Sequence, residues 1–222
     1  MRSSSLLLPA LTMALGLALA GCGGGGGSSG GAPGSIVSPN PPQVLMQTLT
    51  SQAGLDGYVT DSGSVLTDGR FGNLVGDFDS NGQADGVRAF LSFDLASIPA
   101  NAIIDRATLR VAQVDVHRDP YPSHGELVVS HTNYGFTLDA VDYSAVLSFN
   151  IGTLFTSAVE RGYKELDVTR SLRDDFQNTR PRSQYRIEFR TTDTNNDGAT
   201  NFVALGDTEN FGGTNQPPQL VI

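Results

Sequence analysis

From Arg88 to Leu95 the chain alternates, with Ala89, Leu91, Phe93 and Leu95 on one side and Arg88, Ser92 and Asp94 on the other. A period of two predicts a strand with one buried face. Ser97-Ile98-Pro99-Ala100-Asn101 ends the run, because proline lacks a donor and asparagine favours turns. A second alternation sets Ala107, Leu109 and Val111 against Thr108 and Arg110. Two such runs joined through a proline-bearing loop predict an antiparallel pair inside an all-β domain. Tyr185, Ile187, Phe189 and Thr191 alternate in the same way with Arg186, Glu188, Arg190 and Thr192. Further strands are expected over 56–61, 126–134, 145–155 (interrupted at Gly152), 165–169, 202–206 and 219–222. Residues 62–73 read as turn-rich, 119–125 as a loop and 139–143 as a turn. Only 170–177 reads as helix, capped by Thr169, with Leu172 and Phe176 four apart on one face. The expected fold is an antiparallel β-sandwich with one short helix.

Composition narrows the function classes. The 222-residue chain has a formal charge of −9 and a single lysine, Lys164. Nucleic acid as a partner is excluded, since phosphate binding needs clustered cations. One cysteine, Cys22, leaves no disulfide framework. Met1-Arg2 followed by the apolar run Leu6 to Ala20 reads as a leader too short to span a membrane. Its end, Leu19-Ala20-Gly21-Cys22, resembles the bacterial lipoprotein cleavage box. That resemblance implies a signal peptide over 1–21, lipidation of Cys22 and a membrane anchor; the alternative is an ordinary secretory leader. Gly23 after the cysteine implies, by the same resemblance, the outer membrane or cell surface. Residues 22–42, rich in Gly, Ser and Pro, form a tether that cannot bury apolar surface. The sandwich then occupies 43–222.

Two stretches carry candidate chemistry. Asp77-Phe78-Asp79-Ser80-Asn81-Gly82-Gln83-Ala84-Asp85 matches the first nine positions of an EF-hand-type calcium loop. Asp77, Asp79, Asn81 and Asp85 supply oxygens, Gln83 a carbonyl, and Gly82 the bend. Position twelve is Arg88 in place of the bidentate glutamate. The spacing recurs at Asp193, Asn195, Asp197, Ala199 (carbonyl) and Asn201, with Gly198 at the bend and Ala204 at position twelve. Calcium is the expected cofactor at both, and the competing reading is an Asn-Gly or Asp-Gly turn on an acidic loop. If 88–95 and 185–192 pair antiparallel, both loops fall at one end of the sandwich. Asp207 and Glu209 are candidates for the missing carboxylate. His117, His124 and His131 lack a paired zinc motif and read as exposed loop histidines. Arg170, Arg173, Arg180 and Arg182 form the one cationic cluster, either a grip on an acidic sugar or a face neutralised by Asp174 and Asp175.

The strings RAFLSFDL (88–95), SIP (97–99) and Ile104 with ATLRV (107–111) resemble the DNRLRE-type β-sandwich of extracellular bacterial proteins. Asp56-Gly57-Tyr58-Val59, Leu166-Asp167-Val168-Thr169, Asp207-Thr208-Glu209-Asn210 and Gln219-Leu220-Val221-Ile222 extend the likeness over most of 55–222. It implies a jelly-roll module, some relatives of which bind acidic polysaccharides. No catalytic motif is present, so a non-enzyme is expected. The leading reading is a surface-displayed, lipid-anchored carbohydrate-binding module with calcium-stabilised loops. The alternative is a structural or adhesive envelope protein, to be marked by an exposed apolar patch or a free sheet edge. The sugar site itself is unknown from sequence; tryptophan is absent, and Tyr121, Tyr134 and Tyr143 are the stacking candidates.

Overall fold

The computed structural model describes residues 44–69, 71–78, 84–209, 213 and 215–222. The leader, Cys22 and the whole of the tether, and Asp79, Asn81 and Gln83, lie outside them. The described residues belong to a compact unit, Gln43–Ile222, with β1 (Thr48–Thr50), β2 (Gly57–Thr60), β3 (Val65–Leu66), β4 (Asn73–Asp77), β5 (Gly86–Asp94) and β6 (Thr108–His117) in its first half. The second half holds α1 (Tyr121–His124), β7 (Leu127–Thr132), a 3-10 turn (Ala140–Tyr143), β8 (Ser148–Phe155), β9 (Gly162–Asp167), α2 (Thr169–Gln177), β10 (Arg182–Phe189), β11 (Asn201–Leu205) and β12 (Gln219–Val221). Every described pairing is antiparallel. The fold is an all-β sandwich.

One layer runs β8-β7-β10-β5, with β2 beside β5; the other sets β9 on one side of β6 and β12 and β11 on the other. β4 joins the layers, pairing with β11 and with the start of β5. Ala89, Leu91 and Phe93 of β5 and Tyr185, Ile187 and Phe189 of β10 meet Leu109 and Val111 of β6, Val203 and Leu205 of β11 and Leu220 of β12 in one core. Burial of these apolar faces is the main force holding the layers together.

The runs at 88–95 and 107–111 are strands, but they do not pair with each other. β5 pairs with β10, β2 and β4, and β6 with β9, β12 and β11. They lie in opposite layers, which lets both alternating faces share one core, and the connection 95–107 crosses between them. Three smaller expectations also change. Gly152 does not interrupt β8; a Cβ there would meet Leu166 of β9 at 2.4 Å, so glycine permits the two layers' edges to close. Thr169 is the first helical residue and not the cap. Its hydroxyl accepts from the Ala107 N–H at 2.9 Å, tying α2 to the start of β6. The loop at 119–125 contains one helical turn, with Pro122 where its missing N–H costs nothing.

Asp56, 3 % exposed, precedes β2, and its Oδ1 accepts from the Ser92 N–H at 3.0 Å. Burial raises its pKa well above the ordinary aspartate value. A carboxyl raised in the folded state favours folding when protonated, so stability falls as pH rises from the ordinary value through the raised one. Asp56→Asn keeps the acceptor and removes the titration. It is expected to melt higher than the parent at pH 7, with the two curves converging in acid; thermal melts across pH check this.

Candidate loop-end site

β10 and β5 lie side by side, Arg182 opposite Asp94 and Ile187 opposite Ala89. The two oxygen-rich stretches therefore emerge at one end of the sandwich. The contact between them is direct: Thr194 donates from Oγ1 to Asp77 Oδ2 at 2.7 Å. Asp77 closes β4 and is fully buried, and its Oδ1 has no hydrogen-bond partner among the described residues. A carboxylate oxygen removed from water without a donor is costly unless something positive or protic meets it.

Arg88 departs from the calcium pattern at position twelve of the first loop, and it ties the two loops together. Its Nε donates to Asp193 Oδ2 at 2.8 Å and lies 3.3 Å from Glu188 Oε2. Its Nη1 donates to the Tyr143 carbonyl at 2.6 Å, and the guanidinium stacks 4.1 Å above the Tyr143 ring. Burial works against its charge, yet Asp193 beside it lifts its pKa above the ordinary arginine value. Beneath lies a second arginine, Arg186, which donates from Nη2 to both Glu188 oxygens at 2.8 Å. Ser130 adds a donor to Glu188 at 2.7 Å. Position one of the second loop is thus fully engaged by protein donors, since Asp193 also accepts from the Phe189 N–H at 3.2 Å and the Tyr143 hydroxyl at 3.2 Å.

The other loop oxygens are placed as follows. Asp85 accepts from Ser62 N–H at 2.8 Å and from the Ser62 hydroxyl at 2.5 Å. Asn195 Oδ1 accepts from the Asp197 N–H at 3.1 Å, and Asp197 Oδ1 from the Ala199 N–H at 2.8 Å. These are the Asx turns that shape an Asn-Asp-Gly bend, with Asn196 and Gly198 at positive φ of 56° and 73°. Asn201, the first residue of β11, donates to the Ala199 carbonyl at 3.1 Å. Of the second loop, Thr194 reaches Asp77 with its hydroxyl, and hydroxyl and carboxylate oxygens are the donors that a hard cation takes.

His124 belongs to this end too, which its place in a loop did not suggest. It is fully buried, its ring edge-on to Phe189 at 5.2 Å. Burial lowers its pKa, with the Asp77, Asp193 and Asp197 charges opposing, so the ring is neutral at pH 7. Ser123 Oγ and His124 Nδ1 share a hydrogen bond at 2.8 Å. Nε2 has no partner among the described residues. His131 is buried as well, so of the three histidines only His117 is exposed. They do not converge.

His131 instead meets Asp175 at 2.9 Å, and with Asp174 these form the one grouping of three potential metal ligands among the described residues. Arg180 Nη1 already bridges Asp174 at 2.6 Å and Asp175 at 2.9 Å. The guanidinium supplies the positive charge that an ion would bring, and the cluster docks α2 on β7. Arg173 binds the Ile104 and Asp105 carbonyls, so two of the four clustered arginines are held by protein acceptors on or near α2. Tyr121 and Tyr134 are buried and Tyr143 is covered by Arg88, which removes all three as open stacking platforms. Asp207 and Glu209 follow β11, whereas the second loop precedes it. They lie at the opposite end and do not complete the loops.

Neither a comparison with protein-family models nor one with curated proteins finds a match for this chain.

Proposed function

We propose that the chain is a lipid-anchored envelope protein whose sandwich is a non-catalytic binding module of the DNRLRE type. Its loop end takes calcium around Asp77 and, through the ion, an acidic polysaccharide. The observation that supports this most is the buried Asp77 carboxylate, linked by one oxygen to Thr194 of the second loop and lacking a partner for the other among the described residues. A bridging cation also reconciles the acidic surface with an acidic glycan, which the charge of −9 would otherwise repel. Cys22 and the tether display the module at the cell surface. The test is retention of the mature chain on acidic and neutral polysaccharides, in calcium and in chelator. Calcium-dependent retention on the acidic ones is expected, and Asp77→Asn is expected to abolish it.

A second reading has its own support. β8 is an edge strand, and it and the segment before it expose Val146 (37 %), Leu147 (45 %) and Phe149 (58 %). An exposed apolar edge suits adhesion to another envelope protein. Equal failure of retention in calcium and chelator, by a folded chain, would favour this adhesive reading.

A further inference from the structure

The loop end is one pole of the molecule; the other pole is where the chain enters the sandwich. Thr48 of β1 lies opposite Val221 of β12, and Val221 opposite Thr108 of β6. Gln47 and Ile222 exchange backbone hydrogen bonds at 2.9 and 2.8 Å, and the Gln47 side chain reaches Ser97 of the 95–107 connection. This pole therefore gathers the entering chain, the 95–107 connection and the N-terminus of α2. Its surface is apolar: Val44, Leu45 and Met46 are 84, 74 and 85 % exposed, and Ile103 is 89 % exposed. Around them stand the exposed Arg106 and Arg170, with Asp105 and Asp167 alongside, so the pole is close to neutral. The far pole exposes Asp61, Asp115, Asp119 and Asp197.

We propose that the Val44–Met46 and Ile103 pole rests on the lipid bilayer, its apolar side chains set into the interface, so that the acidic loops face away from the membrane. The proposal rests on the reading of Cys22 as the anchor. Chain length supports it: the stretch from Cys22 to Val44 is short enough that, even fully extended, it would span no more than roughly 80 Å. At such a range a weak interfacial contact acts at high effective concentration. Charge supports it as well, because an anionic surface repels the acidic pole and tolerates the neutral one. Exposed large apolar side chains between arginines are the composition of an interfacial contact.

The chain has no tryptophan and one cysteine, which makes a direct test available. The purified mature chain is coupled through Cys22 to a maleimide lipid in vesicles of phosphatidylethanolamine and phosphatidylglycerol. Reporters are Ile103→Trp and Leu45→Trp at the proposed contact and His117→Trp at the far pole. Emission from the first two is expected to shift to shorter wavelength and to be quenched by lipids brominated along their acyl chains, while His117→Trp stays water-exposed and unquenched. Equal, water-like emission from all three would overturn the proposal. So would a blue shift that appears without vesicles and grows with protein concentration, which would assign the pole to a second copy of the chain. Mass spectrometry of Cys22 from the envelope fraction reads the anchor separately. An unmodified Cys22 removes the lipoprotein reading, whereas water-like emission from the coupled protein removes the docking pole.

Discussion

Replacing Glu188 with alanine is expected to lower the melting temperature of the domain by about 10 °C. Glu188 is 1 % exposed and receives Arg186 on both oxygens, with Arg88 and Ser130 beside it. Without it, Arg186 is left buried with no carboxylate of its own, because Asp193 already serves Arg88. Removing one partner of a buried pair costs about 3–5 kcal/mol, and each kcal/mol is worth roughly 2–4 °C in a domain of this size. Glu188→Gln keeps the shape and one acceptor oxygen but loses the charge, and is expected to fall between the two. Thermal unfolding followed by circular dichroism measures both. A loss under about 2 °C for Glu188→Ala would show that the network contributes little to stability.

Gly76→Ala is expected to cost about 3 kcal/mol. Gly76 precedes Asp77 in β4 at a φ of 130°, where L side chains are strained. A Cβ there would stand 2.5 Å from the Asn201 carbonyl oxygen and 3.0 Å from the Phe202 Cα. Both are backbone atoms of β11, so neither can swing aside and β4 must move away from β11. The movement separates Asp77 from Thr194, so any response of the loop end to calcium should be lost with the stability. Gly135→Ala is the control: its φ of 67° carries the strain, but a Cβ there meets nothing within 4 Å. Denaturant unfolding of the two variants separates strain from collision, and equal losses would mean that the contact with β11 is unimportant.

Some of this was legible in residue order. Alternation at 88–95 and 185–192 marked two strands, and their pairing places both oxygen-rich loops at one end. It predicted one buried face, whereas the second face is buried too, with Phe90 and Ser92 on β5 and Arg186 and Glu188 on β10. Alternation names the buried face of a strand but not its neighbour. That is why β5 and β6, consecutive and alike in pattern, read as a pair and instead face each other across the core. The role of Arg88 was visible only as a mismatch to the calcium pattern; its partner Asp193 is far away in sequence and near only in the fold. His124 left no signal, because its burial depends on one turn of helix pressing it against Phe189. The tyrosines failed as sugar platforms for a related reason. Tyr134 packs edge-on against Phe90, on the outer face of β5 beneath the segment that follows β7, and single-strand periodicity does not show which segments fold over a sheet.

The central claim is that the loop end takes calcium around Asp77, and the most direct measurement is thermal unfolding of the mature chain, with Cys22→Ser, in calcium and in chelator. An ion that binds only the folded state raises stability by about 2.7 kcal/mol at a hundredfold excess over its dissociation constant. The parent is expected to melt higher in calcium, increasingly so with concentration. Asp77→Asn, relieved of a buried charge, is expected to equal or exceed the parent in chelator and to gain nothing from calcium. A parent that melts at the same temperature in both solutions would contradict the claim.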